Sequence, residues 1–113
     1  MTTKPPAAEK HGERPQAHIP IPYAQVAEFC RRNRIRWLAL FGSVLHDDFG
    51  PDSDVDVLVE FEPEARVGLI ALGEMQHELS SLFARPVDFV PKNGLKRRIR
   101  NSVLASAQVI YAN

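Results

Sequence analysis

The run Ile35-Arg36-Trp37-Leu38-Ala39-Leu40-Phe41 constrains the fold more than any other stretch. It is short, apolar on both faces and stopped by Gly42, which suits a buried strand better than a helix. A second run, Asp54 to Phe61, alternates strictly. Val55, Val57, Val59 and Phe61 point one way, while Asp54, Asp56, Leu58 and Glu60 point the other. This is a second strand, and its polar face is unusual. Residues 42–53 between the two mix a short helical turn with the turn formers Gly50-Pro51-Asp52-Ser53.

The rest of the chain supplies partners for these strands. Tyr23, Val26, Phe29 and Cys30 recur at helical spacing, with Arg31, Arg32 and Arg34 as favourable cations near the helix end, predicting a helix from about Pro22 to Asn33. From Val67 to Phe83, the residues Leu69, Leu72, Met75, Leu79 and Leu82 form one stripe and predict the clearest helix. Pro86 to Val90 is a third short strand, closed by Pro91 and interrupted by Asp88. Leu95 to about Leu104 reads as a basic helix, and Ala107 to Tyr111 as a final edge strand. Trp37 is most simply core, and His77 surface. Residues 1–20 combine proline and charge with almost no large apolar side chains, predicting a disordered tail that holds His11 and His18, followed by one domain over 21–113.

Composition narrows the partners. Lysine plus arginine and aspartate plus glutamate both number 14, so no overall field draws the protein to nucleic acid or an anionic membrane, and any polyanion site must be local. No stretch is long and apolar enough to span a membrane, the first 22 residues lack the apolar block of a signal peptide, and Cys30 is the single cysteine. A cytoplasmic protein is the expectation. Lys92, Lys96, Arg97, Arg98 and Arg100 concentrate positive charge after the third strand, but no aromatic residues interleave with them. A solvated helix face is favoured slightly over a triphosphate or RNA site, and direct nucleic-acid binding is disfavoured.

The carboxylates carry the chemistry. Residues two apart on a strand share a face and lie about 6.5 to 7 Å apart, so Asp54 and Asp56 can lean toward one ion. Hard oxygen donors favour Mg²⁺ or Mn²⁺ over zinc, and Mg²⁺ sites usually recruit substrate phosphates. Asp88, on a strand that could pair nearby, would supply the third carboxylate of a two-metal site. An isolated Asp-x-Asp more often marks a solvated strand face. Gly42-Ser43 shifts that balance, because a glycine and serine between a strand and a helical turn can offer backbone N–H groups and a hydroxyl to phosphate oxygens. Ser53 is placed to cap or orient the backbone at Asp54.

The segment LFGSVLHDDFGPDSDVDVLVEFEP closely resembles the signature of minimal nucleotidyltransferases of the DNA polymerase β superfamily. PVDFV is similar to their third-carboxylate strand, and GLKRRIRNSVLASAQVIYA to their C-terminal segment, so the likeness covers about residues 20–112. It implies an α+β fold, a small mixed β-sheet flanked by helices. It also implies triphosphate contacts at Gly42 and Ser43, to which Ser53 is added, with catalytic metal binding at Asp54, Asp56 and Asp88. The donor it implies is ATP, the transferred group AMP, and the cofactor Mg²⁺ or Mn²⁺. The implied acceptor is a tyrosine of a small helical HEPN toxin, for which such proteins serve as antitoxins. The chain departs from the pattern at His46, where many relatives carry an arginine that grips phosphate; an exposed loop residue without a role is the favoured reading of it. A binding module that neutralises a HEPN partner by occlusion is the alternative. Transfer to an aminoglycoside or to RNA is less favoured, without a further substrate domain. Homo-oligomers and hetero-oligomers both stay open.

Overall fold

The computed structural model describes residues 17–46, 49–50 and 52–113. Helix α1 (Tyr23–Arg32) leads into β1 (Ile35–Phe41) and a 3₁₀ turn (Gly42–Leu45). Strand β2 (Val55–Phe61), helix α2 (Leu69–Phe83), strand β3 (Val87–Pro91), a second 3₁₀ turn (Lys92–Gly94), helix α3 (Arg97–Ser106) and strand β4 (Gln108–Ala112) follow. The four strands form one sheet in the order β3-β2-β1-β4. β1 runs antiparallel to β2 and β4, whereas β2 and β3 are parallel. Parallel neighbours need a crossover, and α2 provides it. This is the mixed sheet with helices that the sequence predicts, with β4 at one edge.

Helix α1 forms because Val26, Phe29 and Cys30 make one buried stripe, and Arg31 and Arg32 complement the dipole at its end. It stops where the Asn33 side chain donates to the Phe29 carbonyl at 2.8 Å and Arg34 takes φ 59°. Helix α2 buries Met75, Leu79 and Phe83, four residues apart each time, and ends at Ala84 in the left-handed region with φ 57°. These two stripes pack on one face of the sheet against Leu38, Leu40, Val55, Val57, Val59, Val87 and Phe89. Phe29 and Phe89 meet edge-to-face with ring centroids 6.4 Å apart.

On the other face, Ala39 and Leu58 are register partners, and both are wholly buried. Leu58 therefore does not share the exposure expected of the Asp54–Asp56–Glu60 side: the sheet is closed on both faces at its centre and polar only toward its ends. Trp37 is not simple core either. It is half-buried, with the Lys92 ammonium 4.9 Å from its ring centroid, an arrangement that retains cation–π attraction at a partly wet surface.

Most of the expected tail, residues 1–16, lies outside the described residues. Residues 17–20 run along the domain. The Ala17 N–H donates to the buried Gln108 side chain at 2.6 Å, the His18 N–H donates to the Val44 carbonyl at 3.0 Å, and Ile19 packs against the core. Among the described residues no helix is long and apolar enough to cross a membrane.

Candidate active site

Register brings the sequence-predicted residues to one end of the sheet. Because β1 and β2 are antiparallel with Phe41 opposite Asp56, the Gly42-Ser43 turn leaves the sheet where the Asp54–Asp56 segment enters it. Because β2 and β3 are parallel with Asp56 opposite Asp88, the third aspartate lies beside the second on the neighbouring strand. Strand β2 begins at Val55, so Asp54 sits in its mouth rather than in the ladder.

Gly42 is required by geometry. Its φ is +78°, a conformation open to glycine, and a Cβ at this position would collide with an Asp56 carboxylate oxygen and lie 3.2 Å from the carboxyl carbon. The turn thus lays bare backbone over the Asp56 carboxylate. Val44 and Leu45 anchor the turn by burial, Ser43 is half-buried, and His46 is exposed just beyond it.

The electrostatics of the three carboxylates point the same way. Asp56 is half-buried, and burial, then repulsion from Asp88 and Asp54, pushes its carboxyl above the ordinary carboxylate range. Among the described residues none of the three is in a salt bridge. No three acidic, histidine or cysteine side chains among the described residues converge closely enough to ligate one ion. Asp54 and Asp88 are exposed, however, and free to change rotamer. An all-carboxylate donor set with unrelieved repulsion fits a hard divalent cation such as Mg²⁺ or Mn²⁺.

Hydrogen bonds fix the backbone around these residues. The outward N–H groups of Val87 and Phe89, on either side of Asp88, donate to Ser80 Oγ and Gln76 Oε1, both at 3.0 Å. The edge strand is thereby covered and Asp88 held between two tethered residues. The Val55 N–H donates to the Pro86 carbonyl at 2.9 Å, locking the start of β2 to the start of β3. Ser53 Oγ accepts from the Gly50 N–H at 3.1 Å, so its hydroxyl oxygen knits its own loop instead of capping Asp54.

Sequence reasoning passed over Arg85. Its Nη1 donates to the Gly50 and Ser53 carbonyls at 3.1 and 3.2 Å, and its guanidinium lies 4.6 Å from the Phe49 ring centroid. No sequence periodicity marks such a contact across 32 and 35 positions. Gln76 and Ser80 were missed for a similar reason, although their spacing of four on a helix was a weak signal of a shared face.

The basic cluster divides. Lys92 donates to Glu60 at 3.2 Å, and Arg36 donates to the same carboxylate at 3.0 Å. Burial raises the Glu60 carboxyl, but these two cations more than offset it and leave it below the usual range. Glu60 lies four residues along β2 from Asp56, about 13 Å away. Lys96, Arg97 and Arg98 are exposed, as a solvated helix face would have them, while Arg100 turns back to the Leu95 carbonyl at 3.2 Å.

Comparison with known proteins agrees with this geometry. A family model described as nucleotidyltransferase domain matches residues 24–110. Protein adenylyltransferase MntA of Thermococcus cleftensis is 35% identical over 88 residues, spanning 78% of this chain and 85% of that protein. A solved structure provisionally named a minimal nucleotidyltransferase is 33% identical, with a TM-score of 0.64 over 75% of this chain and 85% of that one. A chain from the complex of tri-AMPylated Shewanella oneidensis HEPN toxin with MNT antitoxin shares the fold at 20% identity, with a TM-score of 0.60 over 80% of this chain and 70% of that one. With the strand–Gly-Ser–Asp-x-Asp arrangement in place and most of its length matched, this chain belongs to the nucleotidyltransferase domain family.

Proposed function

We propose that the chain is a metal-dependent protein adenylyltransferase that transfers AMP from ATP to a tyrosine hydroxyl of a HEPN-type toxin and so acts as its antitoxin in the cytoplasm. The observation that carries this reading is the alignment of Asp56 with Asp88 beneath the Gly42 turn. It sets an unneutralised pair of carboxylates beside a side-chain-free turn whose backbone lies directly against one of them. Support for the acceptor class comes from the names of the relatives, a protein adenylyltransferase and a complex with an AMPylated HEPN toxin.

In this scheme the tyrosine oxygen attacks the α-phosphorus of ATP, the bond to the β-phosphate oxygen breaks, and pyrophosphate leaves. Mg²⁺ held by Asp54, Asp56 and Asp88 would lower the pKa of the attacking hydroxyl and stabilise the charge developing on the departing pyrophosphate. Gly42 admits the triphosphate close to the main chain, and Ser43 and Ser53 offer hydroxyl donors to its oxygens. Asp88, exposed at the mouth of the site, accepts the proton of the attacking hydroxyl. Catalysis is then positioning plus charge stabilisation.

His46 favours a second reading. It stands exposed where many relatives carry a phosphate-gripping arginine, which suits a module that neutralises its partner by occlusion. Incubation with Mg²⁺, α-labelled ATP and the product of the neighbouring gene separates the two, with Asp54→Asn and Asp56→Asn variants alongside. Label on the partner that both substitutions abolish supports the transferase. Full neutralisation by both variants without label replaces it with occlusion.

A further inference from the structure

The geometry points to Arg85 as the residue that positions Asp54 against Asp56 and Asp88, an assignment that rests on the metal-site reading above. Arg85 follows directly on the left-handed Ala84, where the Ala84 and Arg85 N–H groups turn back to the Ser81 and Ser80 carbonyls at 3.3 and 3.2 Å. This sharp turn aims the guanidinium away from α2 and into the loop that feeds β2. There one nitrogen bridges the Gly50 and Ser53 carbonyls, and the plane covers Phe49. The flat guanidinium can stack its plane on the ring while one edge donates to both carbonyls, a combination that a lysine ammonium reproduces only in part.

The consequence falls on the next residue. Asp54 is exposed and precedes the ladder, and among the described residues no hydrogen bond fixes its own backbone from the side of the loop. Its position is set from both flanks. On one side Val55 is tied to Pro86, and on the other the Ser53 carbonyl is tied to Arg85. The two ties end on adjacent residues, Arg85 and Pro86, which lead straight into the strand carrying Asp88. Arg85 thereby converts a contact between two loops into a fixed spacing between Asp54, at the mouth of β2, and Asp88 on β3. Among the described residues its charge sits on neutral carbonyls rather than on an aspartate, so it orients the site without pairing with Asp54, Asp56 or Asp88.

The test compares the full chain with Arg85→Gln, Arg85→Lys and, as a control for loss of charge, Arg66→Gln at an exposed arginine. Two readouts avoid catalysis: amide hydrogen exchange of residues 49–55, and affinity for Mn²⁺ alone by water-proton relaxation. The expected result for Arg85→Gln is faster exchange confined to 49–55 and Mn²⁺ binding weakened about 10- to 100-fold. Arg85→Lys recovers part of both, and Arg66→Gln changes neither. Unchanged exchange, or lost protection with unchanged Mn²⁺ affinity, overturns the inference, as does a wild-type protein that binds no Mn²⁺. If Mn²⁺ affinity follows Arg85 but the wild type labels no partner, the proposed adenylyl transfer fails while the positioning role stands. Label transfer that is indifferent to Arg85→Gln has the opposite meaning.

Discussion

Replacing Gly42 with alanine isolates the closest approach in the site. Two penalties arise from the structure. At φ +78° an L-residue costs about 1–2 kcal/mol relative to an ordinary conformation. The new methyl also overlaps the Asp56 carboxylate, an overpacking penalty of about 1–3 kcal/mol. The stiffer unfolded chain returns about 0.4–1 kcal/mol, leaving a net loss of roughly 1–4.5 kcal/mol. With a urea slope of about 2 kcal/mol per molar, the midpoint falls by roughly 0.5–2 M. Trp37, the single tryptophan, is the fluorescence probe.

A double-mutant cycle with Asp56→Ala separates the two penalties. The Asp56 Cβ lies 3.5 Å from the position of the added methyl, an ordinary contact, so truncation removes the collision and leaves only the backbone cost. The expected coupling is about 1–3 kcal/mol. Because Asp56 is half-buried, it can also escape by swinging aside. The stability loss then sits at the lower end of the range, while a displacement of about 1 Å lowers transfer about 100-fold. Gly42→Ala protein within about 0.5 kcal/mol of wild type, with transfer within threefold, would refute the close approach of Gly42 to Asp56.

Three further outcomes follow from the same structure. The folded Asp56 carboxyl holds its proton more tightly than the unfolded chain does at its ordinary value of 3.8, so the contribution of this group to the stability of metal-free protein is fully present below that value and is lost as pH rises through the range just above it. Asp56→Asn removes this slope, raising the melting temperature of metal-free protein at pH 7 while abolishing transfer; a lower melting temperature there counts against the repulsion argument. Burial pushes the Cys30 thiol up to about 12, only partly opposed by Arg31, so Ellman's reagent at pH 8 reacts with native protein at least ~100-fold more slowly than with protein in urea. Ala84→Gly relieves a left-handed alanine at the end of α2 and raises stability by roughly 0.5–1 kcal/mol in urea titrations; a loss would mean that the alanine methyl makes a contact worth more than its strain.

The sequence by itself determined the elements and the kind of chemistry. Ile35–Phe41 reads as a buried strand and forms one with the same bounds, and the alternation from Asp54 predicts β2 to within a residue. The helices are predicted within about two residues at each end, because their apolar stripes are local and periodic. Local pattern also places Asp54 and Asp56 on one face, since strand periodicity depends only on neighbours in the chain.

Tertiary structure decided what lies across from what. Asp88 reaches Asp56 only because β2 and β3 pair in parallel and in register, which no periodicity in either strand encodes. Leu58 looked like part of a polar face, but its burial depends on pairing with Ala39 from another strand. Arg85 reads as an ordinary turn residue, although folding brings it onto carbonyls more than thirty positions earlier. The physical reason is common to all three. Side-chain type and spacing govern local conformation, whereas register, crossover and the ends of hydrogen bonds are fixed by contacts between segments that the sequence keeps apart.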